Sequence, residues 1–214
     1  MSMADISWAA PLISALLMLS VGVLVLARYA RNRMRESLYW GVGLISYGSS
    51  HLIEFGYSSS LIVQTSLTYF LRQTLVVTML VFFFAGCTLT IIRRKGIRAS
   101  LALLFFVVQE VLIYYFDLVV NDLTLSSTVH IIYFVIPFSI FFVAFFLVYY
   151  FSSKRTGSLL IALGWTSYAV IVPFYFLWRG TALLPFWFVL RSASLVPLLI
   201  GFALLAYTGT TKSR

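Results

Sequence analysis

Eight residues in this chain are of types that do chemistry when an apolar medium surrounds them: Glu110, His51, Glu54, Arg72, Arg191, His130, Trp165 and Tyr168. The six ionisable ones lie within or at the edge of long apolar runs. Such groups are costly inside a bilayer and therefore mark ion, proton or substrate sites by default. Their depth follows from a helical rise of about 1.5 Å per residue. Counted from Arg98, Glu110 is roughly 18 Å along its run, near the middle of a hydrocarbon core about 30 Å thick. It is the one carboxylate expected to be fully buried, and a Glu110 that gains and loses a proton suits proton-coupled transport. His51 and Glu54 lie roughly 24 and 28 Å from Arg35, and their i, i+3 spacing puts them on one helix face. Arg72 and Arg191 each lie roughly 31 Å from the basic cluster that ends their run. Asp117 and His130 fall at the same far boundary. Together these residues predict a polar pocket at the end opposite the basic clusters, with Trp165 and Tyr168 as aromatic lining. The competing reading is interfacial placement, with Arg72 and Arg191 extending to the lipid headgroups.

The residues exclude more than they identify. There is no metal-ligand spacing, no phosphate loop and no nucleophile–base motif, so neither an enzyme nor a cofactor is expected. His51 and His130 permit a bis-His haem, but nothing in their spacing calls for one. Cys87 is the only cysteine, which rules out an intrachain disulfide.

The elements that must carry these residues follow from composition. Apolar residues make up 62% of 214 positions and charged residues 10%, whereas a soluble domain carries about 25% charged residues. Lipid has to be the solvent. Seven apolar runs are long enough to span: Trp8 to Ala27, Leu38 to Tyr57, about Thr68 to Ile92, Ser100 to Phe116, Val129 to Phe151, Ser158 to Trp178 and Leu183 to Tyr207. The first lacks a basic leader and a cleavage site and is expected to be retained. The turn between the second and third is marked only by Ser58, Ser59 and Ser60.

Basic clusters follow the odd-numbered runs: Arg28/Arg31/Arg33/Arg35, Arg93/Arg94/Lys95/Arg98, Lys154/Arg155 and Lys212/Arg214. They hold all but three of the 15 Lys and Arg residues, and seven spans place all four clusters on one face. The positive-inside rule makes that face cytoplasmic and the N-terminus external. A net charge of +9 distributed this way orients a membrane protein and does not point to nucleic acid. The expected fold is thus an all-α, multi-pass cell-membrane protein of one domain, residues 1–214. Its partners are the lipid bilayer and, in some readings, a membrane protein or a second copy.

The segment Ser37 to Gly48 resembles Ser158 to Ala169, with Ser, Leu, Gly, Ser and Tyr recurring at an offset of 121. Leu71-Arg72 matches Leu190-Arg191 at an offset of 119. Two like-oriented triplets are expected, about 8–92 and 129–207, joined by a linker helix at about 100–116. This is a parallel 3+1+3 repeat, a plan found in transporters with sites near the repeat interface. Gly41, Gly43, Gly48, Ala162 and Gly164 suit close helix packing. Pro137, Pro173 and Pro197 all fall in the second triplet, which is therefore the half expected to bend.

The topology and two short stretches resemble the microbial rhodopsins. Trp165-Thr-Ser-Tyr168 is similar to their helix-six Trp-x-x-Tyr beside retinal, and Arg72 looks like their helix-three arginine. The seventh run, Leu190 to Pro197, has no lysine for a retinal Schiff base, and Gln73, Thr74 and Leu75 replace the expected carboxylate. The resemblance implies a retinal-free relative. The SWEET sugar carriers share the parallel plan, but their Pro-Gln motif is missing. Leu38-Tyr-Trp-Gly with His51-Leu-Ile-Glu54 resembles seven-span sensor regions of histidine kinases. Two functions fit: a small-solute carrier or channel, or a receptor-like or scaffold subunit acting through its basic loops.

Overall fold

A computed structural model describes residues 3–92 and 94–208, without the side chains of residues 3–8 and 208. Arg93, Lys212, Arg214 and the side chain of Asp5 lie outside the described residues.

Every regular element among the described residues is helical. A chain this apolar has to satisfy its backbone internally, and helices do so without a partner strand. The helices are α1 (Met3–Asn32), α2 (Arg35–Ser58), α3 (Ser66–Ile91), α4 (Lys95–Tyr114), α5 (Leu123–His130), α6 (Ile136–Ser153), α7 (Thr156–Ile171), α8 (Phe174–Trp178) and α9 (Leu184–Thr208). α4 runs on through a π-helical turn, Tyr115–Val119, and a second one, Ile131–Val135, fuses α5 to α6. Six segments are long and apolar enough to cross a membrane: Ala9–Asn32, Ser66–Ile91, Lys95–Val119, Leu123–Ser153, Thr156–Trp178 and Leu184–Tyr207. The chain is therefore an α-helical, multi-pass membrane protein. α2 is helical over the whole expected second span, yet it is too polar to join these six.

Several boundaries move for physical reasons. The fifth run begins at Leu123 rather than Val129, because Asp122 caps α5 by accepting from the N–H groups of Thr124 and Leu125 at 3.0 and 2.9 Å. The second connection runs past the three serines to Thr65, which forms a capping box with Thr68 at the start of α3. The sixth run breaks at Val172–Pro173 into α7 and α8, as the missing proline N–H requires. Pro137 lies two residues beyond the π turn Ile131–Val135, the local rearrangement expected where a ring displaces a helical hydrogen bond. Pro197 leaves α9 unbroken.

The long helices close into a ring: α1 packs on α2 and α9, α2 on α3, α3 on α6, α6 on α7, and α7 on α9. α4 is attached outside this ring against α3. Only 11% of its apolar window is buried, against 50% for α3, so lipid has to cover most of it. Small residues set the closest approaches. A Cβ on Gly164 would lie 2.6 Å from the Leu198 nitrogen, and one on Gly201 would lie 2.6 Å from the Gly157 carbonyl oxygen. Either would force α7 and α9 apart.

The two ends of the ring differ. Toward the basic turns, Trp40, Phe83, Phe142, Phe146, Trp165 and Phe202 form one buried aromatic cluster, with Phe83 and Phe202 stacked at 5.4 Å and 12°. At the other end the side chains are polar and leave a cavity.

Candidate functional site

The centre of the cavity end is Glu54, on the last turns of α2 and 8% exposed. Arg191 of α9 donates to both carboxylate oxygens, Nη1 to Oε1 at 3.0 Å and Nη2 to Oε2 at 2.6 Å. This is the bidentate fork that makes an Arg–carboxylate pair directional and strong. Arg72, near the start of α3, reaches the same carboxylate more loosely, with Nη2 3.4 Å from Oε1. His51 sits one turn before Glu54 with Nδ1 3.3 Å from Oε2, a contact not aligned as a hydrogen bond. One carboxylate thus faces two guanidinium groups, from α3 and α9.

Each arginine is held by its own helix. The Arg191 guanidinium lies over Trp187 at 4.7 Å and Phe188 at 5.5 Å, the i−4 and i−3 positions that share its face. Arg72 lies over Tyr69 at 5.8 Å. Trp187 is oriented in turn by the break after α7. The turn at Pro173 redirects the Tyr175 N–H to Val172, and the Trp187 indole donates to the Ile171 carbonyl at 3.1 Å. Below the ion cluster the hydroxyls of Tyr47 and Tyr168 meet at 2.5 Å, bridging α2 and α7.

These groups face a cavity of about 400 Å³, within the usual range for small-molecule sites. Glu54, Arg72, Arg191, Tyr47, Tyr168 and His130 are among its lining. His130 ends α5 at the start of the second π turn and is 3% exposed, and neither ring nitrogen has a hydrogen-bond partner. Ile131 and Val135 of that turn complete the wall beside it. π turns recur where a helix has to present side chains to a site.

Of the eight residues singled out in the sequence, Glu54, Arg72, Arg191, His130 and Tyr168 line the cavity. His51 stands behind Glu54, 1% exposed, with its ring 4.7 Å from Tyr47. Two expectations need correction. Glu110 is neither fully buried nor in the cavity. It is partly exposed on the peripheral α4 and accepts from the Thr74 hydroxyl at 2.9 Å. α4 lies outside the ring, so mid-membrane depth there means a place beside lipid and α3. Trp165 also does not line the cavity. It belongs to the aromatic cluster, 4.7 Å from Phe142 and 5.8 Å from Phe83.

The sequence reading missed Tyr47, Tyr69 and Trp187. A signal existed for Tyr47, which stands 121 residues before Tyr168, the offset at which the two similar segments align. It also missed Gln109, which is fully buried on α4, while Asp117, expected at the far boundary, is fully buried in the π turn after α4 but does not line the cavity. No group of three or more metal-ligating side chains exists among the described residues.

The fold and site define a class, the multi-pass helical membrane protein with an ion-lined cavity at one end. Comparison of the chain with family models, with curated proteins and with solved structures finds no match in any of the three.

Proposed function

We propose that the chain is a seven-span carrier for a small solute, N-terminus outside and C-terminus in the cytoplasm, built as a parallel 3+1+3 repeat around an outward-facing cavity. The observation that carries the carrier reading is where the helices are interrupted. Beside the cavity, the fused α5–α6 passes through a π turn before Pro137, and α7 breaks at Pro173. Discontinuous helices at a binding site are what alternating access uses.

Several features support the topology. α2 has 24 residues, more than the roughly 20 a span needs, and its polar residues face the ring interior, where lipid does not meet them. Arg28 near the end of α1 and Arg155 before α7 lie within electrostatic range of each other, consistent with both ends sharing one basic, cytoplasmic face. The repeat is supported by pairs at the matching offsets that meet between the halves. Tyr47 bonds Tyr168, Arg72 and Arg191 share Glu54, and Phe83 stacks on Phe202. The plan is that of a microbial rhodopsin without its retinal lysine.

A receptor-like role is the second reading, favoured by the dry aromatic packing between cavity and basic face. Single cysteines separate the two, because the native Cys87 is fully buried. Ser58→Cys at the cavity and Val76→Cys deeper in its wall are treated with a membrane-impermeant maleimide. A carrier labels at Ser58→Cys from outside, and at Val76→Cys from both sides of the membrane. Labelling of Val76→Cys from outside alone favours the receptor, and labelling of Ser58→Cys only in inverted vesicles overturns the orientation.

A further inference from the structure

Resting on the solute-pocket reading, we propose that the cavity selects a monocarboxylate with an apolar or aromatic body, gripped by Arg72 and His130, while Glu54 serves as a built-in counter-ion for Arg191.

The lining carries two arginines and one carboxylate, an excess of one positive charge before His130 is counted. The two arginines are not equivalent. Both terminal nitrogens of Arg191 are taken by the Glu54 fork. Arg72 makes only the 3.4 Å contact to Oε1, its Nε has no partner, and its side chain is 17% exposed. A guanidinium has five N–H donors and no acceptor, so most of the donor capacity of Arg72 is unused beside an open space. His130 adds a second unused group, nearly fully buried and close enough to feel the Arg72 charge. Asp117 also lies within electrostatic range of Arg72, but it does not line the cavity.

A buried polar atom without a partner is costly. A guanidinium with one loose contact and an unpartnered Nε, beside an unpaired imidazole on one cavity, is best relieved by a ligand with two acceptor oxygens. The protein itself displays the fit: Arg191, at the matching repeat position, holds the Glu54 carboxylate bidentately. A ligand carboxylate on Arg72 would reproduce that pair across the axis between the halves. The rest of the ligand meets Val76, Ile131, Val135, Val172, Trp187 and Phe188, an apolar and aromatic surface suited to a hydrocarbon or ring and unsuited to a sugar. One excess charge favours a single carboxylate over a dicarboxylate, whose second charge would face Glu54.

The test uses the purified full-length protein in detergent, titrated with benzoate, hexanoate, benzamide and inorganic phosphate while tryptophan fluorescence is followed, since Trp187 lines the cavity. Saturable quenching by benzoate or hexanoate, absent with benzamide, is the expected result. Arg72→Gln is expected to weaken it by about tenfold or more, as for a lost charged hydrogen bond. Arg72→Lys is expected to restore only part, because a point charge lacks the fork. His130→Ala provides a second variant should Arg72→Gln fail to fold, and is expected to weaken quenching by both benzoate and hexanoate. Equal binding of benzamide and benzoate overturns the carboxylate assignment and leaves a neutral-solute pocket. Quenching by phosphate alone overturns it in favour of phosphate chemistry, including a lipid headgroup. Absence of quenching by both carboxylates in folded, monodisperse protein also overturns it. Failure of the outward-facing reading would appear separately, in the maleimide pattern.

Discussion

The same helices are packed by opposite chemistry at their two ends. Toward the basic turns, α2, α3, α7 and α9 interlock Trp40, Phe83, Trp165 and Phe202 in a cluster that, among the described residues, holds no carboxylate, imidazole, ammonium or guanidinium group. Fewer than four turns further along, the same helices present Glu54, Arg72, Tyr168 and Arg191 to a cavity. The difference separates two jobs. Aromatic packing is less strictly directional than a charged hydrogen bond and tolerates small shifts, and each ring pair adds about 0.5–1.5 kcal/mol beyond its area. The ion cluster is directional: it fixes the relative rotation of α2 and α9 through one bidentate pair, and its stability depends on every member being present. The dry end holds the ring together, while the wet end determines which rotation of the helices is seen and what can enter.

The largest expected effect comes from removing the shared carboxylate. Glu54→Ala leaves the buried Arg191 guanidinium without its counter-charge and takes the nearest carboxylate from the partly exposed Arg72, a loss of about 3–5 kcal/mol in a pair of this kind. The expected outcome is a protein that no longer survives detergent extraction as a monodisperse species, checked by size exclusion and thermal unfolding. Glu54→Gln keeps the shape and frees Arg191. If the two ends are as independent as proposed, it lowers the melting temperature while leaving the aromatic near-ultraviolet signal of the folded state unchanged.

Second in size is Phe202→Leu in the aromatic cluster. Phe202 meets Trp40, Phe83 and Phe146 at 5.7, 5.4 and 5.9 Å. Loss of these pairs is expected to cost about 1–3 kcal/mol. It should lower thermal stability with no change in carboxylate affinity. A changed affinity would break the separation between the two ends.

Third is Tyr168→Phe, which removes one hydroxyl from the pair with Tyr47. A single hydrogen bond contributes about 1 kcal/mol, so a small stability loss is expected. The pair forms the floor of the cavity, so maleimide labelling at Val76→Cys should rise. Unchanged labelling would mean that the floor is sealed by the aromatic cluster alone.

What the sequence makes legible here is depth, and what it hides is direction. Depth needs only the rise per residue and a boundary, and Arg35 and the later basic clusters supply the boundaries. That arithmetic puts His51, Glu54, Arg72 and Arg191 at one level, and their side chains do gather there. Direction around a helix depends on neighbours. His51 and Glu54 were legible as sharing a face, and that face turns inward because α1 and α3 cover the flanks of α2. The second π turn was not legible, since nothing in Ile131 to Val135 distinguishes it from ordinary helix except Pro137 two residues on. The polarity of α2 hides its place in the bundle for a related reason. Hydropathy reports contact with lipid, and a helix lined by Ser46, Ser50, His51 and Glu54 on its buried side has little apolar surface to show.

Glu110 is the sharpest case, and it carries the smallest predicted effect. Its depth is mid-membrane and its type is the one expected of a proton carrier. Yet α4 is the helix outside the ring, and the Glu110 carboxyl turns to Thr74 on the flank of α3, away from the cavity. Glu110→Gln keeps a group able to accept the Thr74 hydroxyl bond and changes no charge in the cavity lining. Benzoate affinity should be unchanged within error, and stability should change by no more than about 0.5 kcal/mol, as for substitutions remote from a core or network. Arg72→Gln acts two residues before Thr74 on the same helix, but from inside the ring. If Glu110→Gln abolishes carboxylate binding while Arg72→Gln spares it, the working residues lie on the α3–α4 seam, and the cavity is only the gap between well-packed halves.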